Sequence, residues 1–236
     1  VKHPNGVILW QGLSLIDRAP IVVIATGVRG KSRNPKTGRM VQTWIMRSDV
    51  APHIAVKTGD DRSVCGDCEF RPSLPRPKGK KPCYVRTWQA PRGIYAAFKR
   101  GRYPTVTPHE AAKLFAGREL RMGSYGNPSA APLPLWRIVN SRTRGHTCYI
   151  HNWRTAARGW TDLAMASVSS LEESLAAAKL GYRTFRVRSP DELIELREAP
   201  CPAAAESGHK TVCALCLACG GRRAKAKVGI TIVQHG

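Results

Sequence analysis

The stretch "CPAAAESGHKTVCALCLACGG", residues 201–221, holds four cysteines: Cys201, Cys213, Cys216 and Cys219. The last three follow C-x2-C-x2-C. Two thiolates separated by two residues can turn both sulfurs toward one ion, and a third such step continues the turn. Four thiolates satisfy a tetrahedral zinc site or one iron–sulfur cube. A second group comprises Cys65 and Cys68 in "CGDC" and Cys83 in "PCYV". Three thiolates leave one position, to be filled by His53, by Cys148 or by a cysteine of the later group. Filled, the site pins a loop; open, it offers a metal to a substrate. The triple C-x2-C-x2-C step is common in iron–sulfur ligation, whereas basic nucleic-acid proteins use zinc heavily. Zinc is the expected cofactor and a 4Fe-4S cluster the alternative. Cys148, in the middle of an apolar run, reads as a packed residue.

Other residues with chemical capacity are fewer. In "HTCYIH", Tyr149 and His151 would face one side of a strand. Tyr149 or Tyr125 could attack a phosphodiester with His151 as acid or base. No carboxylate partner accompanies them, and they serve equally well to close a sheet or touch phosphate. The chain has no G-x4-G-K-S/T phosphate loop and no G-x-S-x-G elbow. Whether it is an enzyme is left open by these residues.

Charge points to the partner. The 236 residues carry 38 Lys plus Arg against 16 Asp plus Glu, a formal net charge of +22. Such a surplus attracts a polyanion, and counterion release would make binding salt-sensitive. The basic residues cluster. Lys31, Arg33 and Lys36 lie at a hairpin tip; Arg76, Lys78, Lys80 and Lys81 lie in a Pro-rich loop. Arg92, Lys99, Arg100 and Arg102 follow, and Arg222, Arg223, Lys225 and Lys227 form a last run. Between Arg71 and Arg102 there are ten basic residues and no acidic one, interleaved with Tyr84, Trp88, Tyr95 and Phe98. Positive charge with stacking rings suits nucleic acid, DNA or RNA; Tyr95 and Phe98 could equally line the inner face of a helix. No leader-like segment and no run of roughly 18 apolar residues is present, so a reducing cytoplasm without membrane contact is the expected setting, where thiols favour metal over disulfides.

These residues need elements to hold them. "GVILWQG", "PIVVIATGV" and "MVQTWIMRS" read as strands, with "RGKSRNPKTGR" as a basic hairpin between the last two. The segment 1–108 is therefore β-rich and includes the Cys65/Cys68/Cys83 loop. From 109 to 236 helices and strands alternate. "PHEAAKLFAG", "APLPLWRIVNSR" and "SLEESLAAAKLG" read as helices; "ELRMGSYG", "HTCYIHNW", "DLAMASV", "YRTFRVR" and "KVGITIVQHG" read as strands. "APRGIYAAFKRG" before them also reads as a helix. Alternation predicts an α/β fold, a parallel sheet or partial (β/α) barrel, with cysteine metal sites near the carboxyl ends of the strands and both parts joined in one domain.

The motifs "NPKTG", "CGDC" with "CY", "RMGSYGNP", "YIHNW", "MASV" and "CP" with "CALCLAC" follow one another in an order that resembles a cysteine-rich phage and prophage family, the type called gene product 88 in mycobacteriophages. The resemblance spans residues 30–221 and implies a phage or mobile-element origin, hence a bacterial host cell; it carries no activity. Relatives would have an aspartate where Asn127 stands, so Asn127 is a candidate site residue that lacks the carboxylate. A more distant similarity is to radical-SAM barrels, although their C-x3-C-x2-C signature is missing. The expected function is a phage-type metalloprotein that binds nucleic acid in replication or DNA processing. The alternative is an iron–sulfur barrel enzyme acting on a nucleic-acid or nucleotide substrate.

Overall fold

Three runs of β-branched and aromatic residues build the first strands, β1 (Gly6–Leu13), β2 (Pro20–Thr26) and β3 (Val41–Arg47), which pair antiparallel in sequence order. The computed structural model describes residues 4–30, 34–75 and 83–234. Lys31, Arg33, Arg76, Lys78, Lys80 and Lys81 lie outside them. In the described part of the β2–β3 hairpin, Asn34 Oδ1 accepts the N–H groups of Lys36 and Thr37, and the Gly38 N–H returns to the Asn34 carbonyl. An asparagine that bonds the backbone two and three residues on makes this kind of turn.

After β3 the chain forms α1 (Pro52–Thr58), α2 (Arg62–Cys65), α3 (Ala90–Lys99) and α4 (Pro108–Leu114) before entering β4 (Glu119–Tyr125), which lies parallel to β3. The start of α4 is fixed by a capping box in which Thr107 and Glu110 each satisfy the other's backbone N–H. Then come α5 (Leu133–Asn140), β5 (Gly145–Ile150), β6 (Met165–Val168), α6 (Leu171–Lys179) and β7 (Thr184–Arg188). Ser170 caps α6 by accepting the Glu173 N–H, and Gly181, at φ 85°, follows its end. The chain finishes with β8 (Glu198–Pro200), the single-turn α7 (Cys213–Cys216) and β9 (Gly229–Val233).

All nine strands form one sheet in the order β1-β2-β3-β4-β5-β6-β7-β9-β8, antiparallel to β3 and parallel from there on. The protein is thus α/β with a mostly parallel sheet. On one face Leu120, Met122, Cys148 and Ile150 pack, fully buried, into a core with Phe115, Trp136, Val139 and Ala177. The ring N–H of Trp136 donates to the Pro128 carbonyl at 2.8 Å, so burial of the indole leaves no donor unpaired. Tyr95, Phe98 and Tyr103 also pack against this core, leaving Tyr84 and Trp88 as the exposed rings of their basic stretch.

Two glycines explain "RMGSYGNP". A Cβ on Gly123 (φ 72°) would come 2.6 Å from the Gly126 carbonyl oxygen, and one on Gly126 (φ 82°) would come 2.5 Å from that of Ile45. The left-handed backbone lets β4 bulge beside β3, where Thr43 accepts the Gly123 N–H and donates to the Arg121 carbonyl.

Candidate metal and ligand cavity

On the other face a smaller apolar cluster that includes Met165, Ile230 and Ile232 leaves an open space beside it. Alternate residues of β3 (Gln42, Trp44), β4 (Arg121, Tyr125), β5 (Thr147, Tyr149), β7 (Phe185, Val187) and β9 (Ile230, Ile232) border one cavity of about 600 Å³. All seven cysteines expected to hold metal line this same cavity, and none of the eight is in a disulfide.

The first group sits at the carboxyl ends of the parallel strands. The carbonyl of Val64 accepts the Asn127 N–H, just past β4, and the Gly66 backbone lies against Asn127 and Asn152, the latter just past β5. These contacts bring Cys65 and Cys68 to the cavity rim, and the Cys83 N–H donates to the Phe70 carbonyl at 2.7 Å to close the loop. Burial, followed by the charges of Cys68, Asp61 and Cys83, raises the Cys65 thiol well above its ordinary range. Burial pushes the Cys68 thiol up to about 12. A cation among them would reverse that balance by favouring thiolates.

Of the second group, the segment with Cys213, Cys216 and Cys219 docks at the opposite end, whereas Cys201 follows the carboxyl end of β8; the expectation that both groups would stand near the carboxyl ends is corrected for that segment. Cys213 and Ala214 donate their N–H groups to Lys36 and Thr37, before β3. Leu217 covers Gly145, the first residue of β5, and Gly221 packs on Asp162–Ala164, before β6. Arg183, one residue before β7, donates to the carbonyls of Ala218, Gly221 and Val228. Cys201 is held separately, through its N–H to Thr231 of β9. Cys201, Cys213, Cys216 and Cys219 interact electrostatically, and burial with this mutual repulsion raises Cys213; burial takes Cys219 up to about 12. Among the described residues, no three His, Cys, Asp or Glu side chains are drawn together tightly enough to hold a single metal ion. The thiols are gathered around one space without converging on a point.

Neither His53 nor Cys148 borders the cavity, so neither completes the first group. Cys148 is fully buried on the core face, as a packed residue would be. Asp61, which the sequence reading passed over, is fully buried, pairs with Arg71 at 2.9 Å through Oδ1 and has an Oδ2 without a hydrogen-bond partner; it borders the cavity with Cys65 and Cys68.

Between the two groups stand Tyr149, hydrogen-bonded to Cys219, and Arg121, whose guanidinium lies 5.9 Å from the Tyr149 ring centre and donates to the Tyr84 hydroxyl at 2.8 Å. Tyr149 and His151 do face the same way, both onto the cavity. Burial lowers the His151 imidazole to about 4, so it is neutral at pH 7. Tyr125 also borders the cavity, and its buried hydroxyl has no hydrogen-bond partner among the described residues. Asn127 borders the cavity too, held by its amide donating to Asn152 and its carbonyl accepting from Ser129.

Of the described basic candidates, Lys36 borders the cavity, while Arg92, Lys99, Arg100, Arg102, Lys225 and Lys227 are exposed. Arg222 and Arg223 are exposed but pair with Asp162 at 3.0 and 3.3 Å. No helix among the described residues is long and apolar enough to cross a membrane. No protein-family model, curated protein or solved structure matches this chain.

Proposed function

We propose that this chain is a partial (β/α) barrel with two cysteine-bound metal centres, an iron–sulfur enzyme acting on a nucleotide or nucleic-acid substrate held between them. The observation that carries this reading is the convergence of seven cysteines from two distant stretches onto one cavity. Centres that only stapled loops would have no reason to share an interior space. Strands β3 to β7 and β9 all border it, an arrangement that suits a sheet curved around the space as in a partial barrel. Ligands collect at the carboxyl ends of such strands, where Cys65, Cys68 and Cys83 stand.

Cys201, Cys213, Cys216 and Cys219 would fill every position of one cluster, and Cys65, Cys68 and Cys83 would leave an iron of the other open. A cluster so held supplies an open coordination position and electrons to a bound substrate. Arg121, Tyr149, Tyr125 and neutral His151 would orient the substrate and exclude water. The order of the motifs supports a phage or mobile-element origin.

A second reading, a zinc-stapled protein that binds nucleic acid without a reaction, has its own support. Trp88 is 62% exposed beside α3, whose Arg92 and Lys99 are exposed, as are Arg100 and Arg102 just beyond it, an arrangement that offers a stacking ring and phosphate contacts. Anaerobic purification separates the two readings. Brown protein with iron and sulfide in cluster proportion supports the enzyme; colourless protein with stoichiometric zinc overturns it in favour of the second reading.

A further inference from the structure

Four arginines are buried among the described residues, and three of them meet a carboxylate or several carbonyls. Arg186 meets Glu198 through two hydrogen bonds of 2.8 and 2.7 Å, Arg71 meets Asp61, and Arg183 is ringed by carbonyls. Arg121, 8% exposed, meets no carboxylate. Its only side-chain hydrogen bond among the described residues is the one to Tyr84. A guanidinium offers five N–H donors, and holding one out of water with a single neutral partner is costly.

Its neighbours add an independent observation. Arg121 stands in register with Gln42 of β3 and Thr147 of β5, so the three side chains form a row across the cavity wall. Thr147 is 1% exposed, and its hydroxyl has no hydrogen-bond partner among the described residues. Gln42 is held in place by Ser124, which donates to its oxygen at 2.8 Å, and by its own bond to Thr37. A fixed cation with spare donors beside an unused hydroxyl is a seat built for an oxyanion.

We propose that this row binds the phosphate of a small nucleotide in the cavity, Arg121 carrying the charge contact and Thr147 a hydrogen bond. The inference rests on reading the cavity as a substrate chamber, and it adds which group of the substrate is gripped and where. Phosphate fits the planar fork of arginine, and Trp44, Tyr149 and Phe185 on the same wall give a base apolar faces to lie on. The rival partner for Arg121 is the negative charge of a metal centre at Cys213 and Cys219.

Calorimetric titration of the protein as isolated decides between them. Adenosine monophosphate, inorganic phosphate and adenosine are compared at high salt, where the exposed basic surface is screened. The phosphate-bearing ligands should bind and adenosine should bind far more weakly. Arg121→Met should weaken adenosine monophosphate by about 10- to 100-fold and Thr147→Val by about 2- to 10-fold, with metal content unchanged in both. Affinity equal to the parent in both variants would place the phosphate on the surface and overturn the proposal. So would an Arg121→Met protein that loses metal while the parent binds no phosphate, which would assign the arginine to the thiolate centre. Should Arg121→Met fail to fold, Thr147→Val decides alone, since unchanged affinity there removes the row. Metal counting on the parent tests the iron–sulfur reading separately, because phosphate binding does not enter it.

Discussion

Replacing Arg183 by methionine tests how the four-cysteine segment is held. Arg183 is 9% exposed and donates to the Val228 carbonyl at 2.6 and 3.2 Å, to Ala218 at 2.8 Å and to Gly221 at 2.9 Å. Gly221 keeps a second donor, the Ala224 N–H, so the substitution strands two carbonyls, those of Ala218 and Val228. A buried polar group left unpaired costs about 1–3 kcal/mol, but these bonds are only part-buried and Val228 is exposed, so water can replace part of them; with methionine retaining most of the aliphatic packing, the expected loss is about 1–3 kcal/mol. That loss should fall first on the segment from Ala218 to Val228, which these bonds fasten to β7. Urea denaturation of the metal-free protein would give the global figure. The rate at which a thiol reagent modifies Cys213, Cys216 and Cys219 would report local opening, expected to rise about 10-fold or more for a segment loosened by 1.4 kcal/mol. Parent-like stability together with parent-like thiol rates would refute the view that this arginine fastens the segment to β7.

Serine at Cys216 should lower bound metal and thermal stability together; unchanged values of both would remove the four-cysteine centre. Neutralising Arg92, Lys99, Arg100 and Arg102 should flatten the salt dependence of DNA binding by up to about four phosphate contacts, roughly 0.7–0.9 in slope for each, and an unaltered slope would leave only diffuse attraction. His146 is lowered from the ordinary imidazole range by burial, which outweighs its bond to the Leu163 carbonyl, so the unfolded chain takes up the proton first as pH falls. Stability tied to neutral His146 is therefore whole above about pH 6.5 and declines below it. His146→Gln should flatten the dependence below about pH 6.5, and a slope equal to the parent's would count against the assignment.

Much of the scaffold was legible because its signals are local. The runs that became β1 to β7 and β9, and the capped helices α4 and α6, carry period and punctuation in their own residues. Helices α1 and α2 escaped since "PHIAVKT" and "RSVC" are too short to show a period, and three-residue β8 exists only because β9 offers it an edge. The cysteine spacings pointed to two groups, yet their common cavity depends on strand register across the sheet, which no spacing encodes. A signal for Arg121 was present. Strands of parallel sheets with both faces packed read as continuous apolar runs, whereas β4 and β5 alternate Leu120, Met122, Cys148 and Ile150 with Arg121, Thr147 and Tyr149. That alternation sets Arg121, Thr147 and Tyr149 together on the cavity side.

The position of β9 has a consequence for synthesis. Glu198–Pro200 pairs only with β9, which itself lies between it and β7. While the ribosome is still making residues 201–228, β8 has no neighbour to join, and Cys201 lacks the Thr231 carbonyl that positions it. The earlier three cysteines can assemble on a sheet already formed through β7. Cys213 and Cys219, tied to residues just before β3 and to β5, can dock on that sheet as well, so it is Cys201 that waits for the last strand to slot in.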